Sequence, residues 1–228
     1  MAINQSEIDS FTEQLKYFYK DSHLVTDGIL NVDLYNLAKY KILWILKEPY
    51  GNGDMDYSEY IEESFKFKGK FHSAPKMWER IIYTNYGILN NFEKWDDMDW
   101  LNKDENVFNS LKYCALINLK KVPGKTRSNY YEIQEHYNRS KEIIKKQLSL
   151  INPEIIICGG TFKLIKEDFG IGHPLVPNND FGYLLGNQLF INAYHPSYFF
   201  GGEDFGERYC DKIIDCCKTW ANNKIKSF

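Results

Sequence analysis

The chain has 228 residues, of which 43% are hydrophobic and 26% are charged, a composition typical of a globular domain with its own core. Its net charge of −3 argues against a general nucleic-acid binder, although it does not exclude a local basic face. The first 20 residues lack the apolar core of a signal peptide, and no stretch approaches the roughly 18 apolar residues that span a bilayer. We expect one domain over residues 1–228 that is cytoplasmic, monomeric and not bound to membranes.

The cysteines predict free thiols. There are five of them, no secretion signal precedes them, and no pair has the C-x-x-C spacing of a zinc or iron–sulfur site. We therefore expect no metal, no iron–sulfur cluster and no other cofactor. Aromatic residues are abundant at 16%, which indicates either an aromatic-rich core or a surface on which flat rings can stack.

Helices and strands are predicted to alternate along the chain, from hydrophobic periodicity, caps and turn residues. The first half predicts a helix at 6–20 capped by Ser6, a helix at 32–40, a strand at 41–47, a loop or short helix at 54–70, and helices that start at Pro75 and at Glu105. The second half predicts a strand at 113–119, a helix capped by Asn129 and ending near 150, a strand at 154–158, a helix at 161–168, a loop at 170–186, a strand at 189–193 and a helix at 207–222.

The alternation predicts the fold class. The four strands are nearly continuous apolar runs, as in parallel strands that are buried on both faces. Strands that alternate with helices favour a parallel sheet with helices on both sides. The predicted fold is therefore α/β, a three-layer α/β/α sandwich around a four-stranded parallel sheet, and right-handed crossovers would place all four strand ends at one edge.

Polar residues and glycines follow these strands. The four ends carry Glu48 with Pro49-Tyr50, Asn118, the pair Gly159-Gly160, and His195 with Pro196-Ser197. Ligands of parallel α/β sheets bind beyond the carboxyl ends of the strands, so these residues are candidates for chemistry. Each also has a structural alternative: a solvated carboxylate, an amide bonded to a neighbouring loop, a tight turn, and a histidine that bonds a turn.

Taken together, these motifs resemble the uracil-DNA glycosylase superfamily over roughly residues 41–202. Residues 48–50 resemble its first motif, residues 117–120 with Pro123 resemble the strand whose asparagine reads the pyrimidine edge, and 153–159 resemble the strand before the last motif. His195-Pro196-Ser197 matches the final HPS motif without change, and Phe71 is the least secure match, to the aromatic residue that stacks on the flipped base.

The resemblance implies a base-excision enzyme that acts on uracil or a related deaminated base in DNA. Breaking the N-glycosidic bond needs a donor to the departing base, a carboxylate near the sugar and an amide that reads the pairing edge. The implied catalytic residues are Glu48 and His195, and the implied base-binding residues are Asn118, Phe71 and Tyr50. The predicted DNA contacts are Lys120, Lys121 and Arg127 on a basic loop, with Ser197, Tyr198 and a wedge at Phe199.

The sequence departs from the family pattern at several positions. Leu46 replaces the glycine that opens the first motif, Lys47 follows it, and the leucine wedge is aromatic, at Phe199 or Phe200. Two alternatives therefore stay open. One is a relative without catalysis that binds a nucleobase, a nucleotide or modified DNA, and the other is a hydrolase of free nucleosides.

Overall fold

A computed structural model describes the backbone of most of the chain. The described residues are 2–20, 22–51, 53–64, 66–67, 70–71, 74–125, 127–198 and 207–225.

The centre of the fold is a mixed sheet of seven strands in the order β2-β7-β3-β8-β11-β10-β9. Strands β7, β3, β8 and β11 are parallel to one another, whereas β2, β10 and β9 are antiparallel to their neighbours. The seven strands are β2 (Gly28–Ile29), β3 (Ile42–Leu46), β7 (Cys114–Asn118), β8 (Ile155–Gly159), β9 (His173–Pro174), β10 (Gly182–Leu185) and β11 (Gln188–Ala193). Two further pairs lie outside it: β1 (Val25–Thr26) with β4 (Met55–Asp56), and β5 (Lys66–Phe67) with β6 (Lys70–Phe71).

Helices cover both faces of the sheet. Along β3, Ile42, Trp44 and Leu46 join one apolar cluster, and Leu43 and Ile45 join another on the opposite face. This alternation follows from the two-residue period of a strand and explains why the run is apolar throughout. The helices are α1 (Gln5–Phe18), α2 (Val32–Leu37), α3 (Tyr57–Ser64), α4 (Lys76–Leu89), α5 (Glu105–Asn109), α6 (Tyr130–Ile151), α7 (Phe162–Ile165) and α8 (Lys212–Ile225), with 3-10 turns at Trp95–Asp97 and Ser110–Tyr113 and a π turn at Glu207–Asp211.

The structure corrects the predicted four-stranded sheet. Its four parallel strands form at the predicted places, but three short antiparallel strands extend the sheet to seven. Two of them, β9 and β10, lie in the predicted loop at 170–186. They have two and four residues, too few to show a period, and β9 contains Pro174, which is tolerated only at a sheet edge.

The ends of α1 and α6 show how caps set helix boundaries. The predicted cap Ser6 is wrong: Asn4 caps α1, its side chain accepting from the Ser6 N–H while the Glu7 side chain accepts from the Asn4 N–H. The predicted cap Asn129 is confirmed for α6, where its side chain accepts from the N–H groups of Tyr131 and Glu132.

All five cysteines are free, as predicted, and all but Cys216 are buried.

A buried ion pair joins the loop after β7 and the start of β2 to α6. Lys121 Nζ lies 2.6 Å from Asp27 Oδ1, and both side chains are fully buried. Gln147 of α6 accepts from the same ammonium at 2.7 Å and donates to the Asp27 carbonyl at 2.8 Å. Asp27 also accepts from the Asn118 backbone N–H at 2.7 Å, so one carboxylate joins the end of β7, its following loop and α6.

We expect Lys121→Met to destabilise the fold by about 3–5 kcal/mol, because it leaves the Asp27 carboxylate buried without its cation. Urea unfolding followed by tryptophan fluorescence measures the change. The matched control is Lys141→Met, which removes a partly exposed pair with Asp168 and is expected to cost less than about 1 kcal/mol. Equal losses in the two variants would contradict the structural role of the buried pair.

Candidate functional site

The four parallel strands end level with one another. The register pairs Leu46 with Asn118 and Ala193 with Gly159, and the pairing of β3 with β8 brings these two pairs into one row across the sheet. Residues in one such row point to the same face. Leu46 and Ala193 belong to the apolar cluster under α4 and α8, so Asn118 is on that face as well.

Glu48 and His195 each lie two residues beyond this row. They follow β3 and β11, which are separated by β8 alone. With neighbouring strands about 4.8 Å apart, their backbones are roughly 10 Å apart, and Asn118, one strand further, is about 14 Å from the β11 end. The sheet therefore gathers three predicted site residues at one edge.

A turn fixes the orientation of the His195 ring. The Ser197 backbone N–H donates to His195 Nδ1 at 3.2 Å, the Ser197 hydroxyl lies 2.7 Å from the same nitrogen, and the Tyr198 N–H donates to the His195 carbonyl at 2.8 Å. An amide N–H can only donate, so Nδ1 is the acceptor and we infer that the neutral ring carries its proton on Nε2.

The surroundings of His195 keep the imidazole neutral. Burial and then the positive charges of Lys47 and Arg80 lower the pKa of His195 to about 4. Lys47, a departure from the family pattern, is thus a close neighbour of the histidine. At neutral pH the ring is an uncharged hydrogen-bond donor rather than an imidazolium.

Arg80 of α4 is a residue that the sequence analysis missed. Its side chain is buried, and Nη1 donates to the carbonyl of Pro196 and, at 2.7 Å, to that of Tyr198. The guanidinium also lies over the Tyr209 ring, 5.7 Å from its centroid. Arg80 therefore anchors the turn that carries His195. The sequence feature that could have identified Arg80 is a single arginine between Trp78 and Ile81 on the inward face of a predicted helix.

The glycine pair after β8 allows the strand ends to approach closely. A Cβ on Gly159 would lie 2.6 Å from Leu46 Cδ2 and 3.1 Å from Pro196 Cδ. Gly160 has φ +71°, and a Cβ there would lie 3.1 Å from Lys47 Cε and 3.5 Å from His195 Cβ. The pair is thus required by backbone geometry and by contact with the two neighbouring ends, and it is a structural part of the site.

Glu48 is buried in an ion pair. Its Oε2 accepts from Lys120 Nζ at 2.8 Å, and the same ammonium lies 2.5 Å from Glu132 Oε1 at the start of α6. Burial alone would lower the pKa of Lys120, but the hydrogen bonds to Glu132 and Glu48 outweigh it and raise that pKa, so the ammonium stays charged. Glu48 Oε1 is buried with no partner among the described residues, and a water or ligand atom would satisfy it.

Gly124 shapes the space around this carboxylate. A Cβ at Gly124 would lie 1.9 Å from Glu48 Cδ, which is an impossible contact. The Gly124 N–H also donates to the Pro49 carbonyl at 2.9 Å, so the loop after β7 is fastened against the motif that carries Glu48. The predicted basic loop therefore closes over Glu48.

Asn118 is fully buried beneath this loop. Its Nδ2 lies 3.4 Å from Asp27 Oδ2, a long contact, and its Oδ1 has no partner among the described residues. Tyr57 of α3 lies beside the amide: burial raises the pKa of Tyr57, and a hydrogen bond with Asn118 partly opposes the rise. The amide oxygen is therefore a buried acceptor that a water or a ligand atom would satisfy.

The structure corrects the predicted phosphate contacts of Lys120 and Lys121. Both side chains are buried, the first between two carboxylates and the second against Asp27 and Gln147. Neither ammonium can reach a phosphate while these pairs hold. On the same loop, Lys125 and Arg127 are exposed, so the predicted contact of Arg127 stays a prediction.

The remaining predicted site residues differ in how exposed they are and in whether the structure describes their side chains. Tyr50 is 78% exposed, so it does not form a closed pocket wall in this structure, and Tyr198 is half-exposed beside the histidine turn. Phe71 belongs to β6, but its side chain lies outside the described residues, as does Phe199. Glu48 and His195 share an edge without touching, because the carboxylate turns toward Lys120 and the imidazole lies beside Lys47 and Arg80.

In the described part of the chain, no group of three or more His, Cys, Asp or Glu side chains is arranged to hold a metal ion. Over the same ranges, no helix combines the length and apolar character that crossing a membrane requires.

No protein-family model matches the chain, and no curated protein matches it in sequence. The function must therefore be inferred from the site itself.

We expect the His195 imidazole to titrate near pH 4, well below the ordinary value of about 6.5. Lys47→Met should raise this midpoint, because it removes a nearby positive charge. NMR titration of the ring measures the midpoint in the wild type and in the variant. Lys39→Met is the control, because the Lys39 ammonium binds Asn91 and is not among the charges that lower the pKa of His195. A wild-type midpoint near 6.5, or no rise in Lys47→Met, would count against the proposed surroundings.

The same shift affects stability with a definite sign. The folded-state pKa of His195 lies below that of the unfolded chain, so the unfolded state binds more protons between these values. The contribution of His195 to the free energy of unfolding is therefore present above about pH 6.5 and lost as the pH falls toward 4. Urea unfolding at a series of pH values, compared with His195→Ala, isolates this contribution.

We expect Gly124→Ala to destabilise the protein by about 1–3 kcal/mol, because the new Cβ overlaps the Glu48 carboxyl group. Gly172→Ala is the control, since a Cβ at Gly172 meets nothing within 4 Å and should change stability by less than about 0.5 kcal/mol. Chemical unfolding compares the two. Similar stabilities would show that Glu48 moves aside freely.

Proposed function

We propose that this protein removes uracil or a related deaminated base from DNA by hydrolysing the N-glycosidic bond. The observation that carries the proposal is the neutral His195 ring, whose Nδ1 is occupied by the Ser197 N–H and whose Nε2–H is therefore the donor. The site also contains a buried carboxylate with an unbonded oxygen and a buried amide with an unbonded oxygen. Four of the seven strands of the central sheet are parallel, and the candidate residues lie at or just beyond the ends of three of these four.

His195 would stabilise the departing base. When the bond between the base and C1′ breaks, its electron pair goes to the base, and negative charge develops on a carbonyl oxygen of the ring. A donor that is already oriented toward that oxygen stabilises the transition state more than the ground state. The neutral imidazole would supply this hydrogen bond from its Nε2–H, because Nδ1 is the acceptor in the turn.

Glu48 would position the attacking water. Its free Oε1 can accept a hydrogen bond from a water that attacks C1′, while Lys120 holds Oε2 in place. The new C–O bond forms as the C–N bond breaks, the water proton passes to the carboxylate or to solvent, and the carboxylate stabilises the positive sugar in between. Asn118 would read the pairing edge, because an amide offers an acceptor and a donor to the ring.

A binding protein without catalysis is the second candidate. The observation in its favour is the Lys120 ammonium, which partly neutralises the negative charge that Glu48 would present to a sugar cation. Such a protein would hold a base, a nucleotide or modified DNA with Asn118 and His195. It would show binding without turnover.

The test uses labelled oligonucleotides that contain one uracil, single-stranded and in duplex, followed by a panel of other deaminated bases. Alkali cleavage after incubation reveals abasic sites. We expect His195→Ala to lower the rate by about 10²–10³-fold, the usual effect of removing one such donor, and Glu48→Gln by about 10²–10⁴-fold. Asn118→Asp should lower it for uracil as well.

His173→Ala is the control, because His173 is exposed on the edge strand β9. Its activity should equal that of the wild type. If no base in the panel yields abasic sites, the enzymatic proposal fails, and titration with uracil and with damaged DNA then decides on the binding candidate. Absence of both turnover and binding would exclude both.

A further inference from the structure

We propose that the carboxyl edge of the sheet binds single-stranded DNA by stacking unpaired bases on exposed tyrosines to either side of the site. This inference rests on the proposed function, since it names the form of DNA that the same site accepts. Its basis is a set of tyrosines that share this edge and are about half exposed or more: Tyr50, Tyr130, Tyr131, Tyr194 and Tyr198.

The position of these tyrosines follows from the strand ends. Tyr50 lies two residues after Glu48, and Tyr130 and Tyr131 open α6, where the next residue contacts Lys120 above the β7 end. Tyr194 and Tyr198 flank the histidine turn. Burying tyrosine rings lowers the free energy of the folded chain, so a group of tyrosines at one edge that are about half exposed or more is a feature that binding would explain.

The rings beside the histidine have the geometry of a stacking platform. The Tyr194 and Tyr198 centroids are 4.8 Å apart with planes inclined by 18°, and both side chains are about half exposed. A flat pair of this kind can continue into a stack with a base, whereas the Tyr130 and Tyr131 rings meet edge to face, 6.1 Å apart. Base–aromatic stacking tolerates any base, because every base has a π face.

Positive charge lies next to both groups of tyrosines. Tyr194 lines a cavity of about 250 Å³ together with Arg208 and Lys212. On the other side, Lys125 and Arg127 are exposed on the loop before α6. Aromatic rings with cations between them are the pattern by which proteins hold the bases and phosphates of a single strand.

The charge distribution argues against duplex DNA as the preferred form. Binding a duplex depends mainly on many phosphate contacts, and the net charge of the chain is −3. The two lysines that would extend the basic loop, Lys120 and Lys121, are buried in ion pairs. Duplex bases are already stacked on one another and cannot use the tyrosines, whereas the bases of a single strand can.

The test measures fluorescence polarisation of a labelled 15-nucleotide oligothymidylate, which contains no deaminated base, and of the matching duplex at one salt concentration. We expect the single strand to bind at least about tenfold more tightly than the duplex. The double variant Tyr194→Ala/Tyr198→Ala should weaken single-strand binding by about tenfold or more. Tyr194→Phe/Tyr198→Phe should restore it, because phenylalanine keeps the ring.

Tyr17→Ala is the matched control. Tyr17 is 78% exposed near the end of α1. Tyr19, which caps this end, contacts Ser140 about midway along α6 and not at the carboxyl edge. This variant should bind like the wild type. Equal or tighter duplex binding, tighter binding of oligouridylate RNA than of the DNA strand, or unchanged binding in the double alanine variant would overturn the inference.

Because the oligothymidylate probe requires no catalysis, the two proposals fail separately. Single-strand binding that depends on the tyrosines, without any base excision, would refute the glycosylase and leave the binding surface standing. Base excision that is equally efficient on duplex and single strands and insensitive to the tyrosine variants would do the reverse.

Discussion

The register of the four parallel strands is the constraint on which the site depends. Backbone hydrogen bonds place Asn118, Leu46, Gly159 and Ala193 in one row, so every residue that follows a strand is delivered to the same edge. A slip of one residue in any strand would turn its apolar side chains to the wrong face, and the core on both sides therefore enforces the alignment. The spacing of the candidate groups is a consequence of the strand spacing rather than of contacts between the groups themselves.

Buried charges then determine what each group at this edge can do. Lys120 fixes one oxygen of Glu48 and leaves the other free, and Asp27 holds the end of β7 through the Asn118 backbone. On the other side, burial and then the positive charges of Lys47 and Arg80 lower the pKa of His195, so its ring stays neutral. Lys120 and Lys121, which the sequence predicts as contacts to DNA phosphates, instead form buried ion pairs that hold neighbouring side chains in place.

The two ends of the site therefore offer different hydrogen-bonding groups. The β11 end offers a neutral donor on a turn that is anchored by Arg80 and bordered by stacked tyrosines. The β3 and β7 ends offer a carboxylate and an amide, each with one unbonded oxygen. A base held between them would meet a donor on one side and acceptors on the other, while its strand continued across the aromatic rings.

The sequence by itself determined the four central strands and the placement of Glu48, Asn118 and His195 at the edge where these strands end, because apolar runs and turn residues act locally. It did not determine the edge strands β2, β9 and β10, which are too short to carry a period and form only against a finished neighbour. Nor did it determine the orientation of Lys120 and Lys121. In the sequence both resemble exposed cations, and only partners distant along the chain, Glu48 after β3 and Asp27 before β2, hold their side chains in the interior. The role of Arg80 was also not visible in the sequence. This helix arginine becomes part of the site only because the fold brings the turn after β11 to it, and that turn is more than a hundred residues further along the chain. Local propensity thus set which residues stand at the edge, and long-range electrostatics in a low-dielectric interior decided which of the charged side chains are drawn into buried ion pairs.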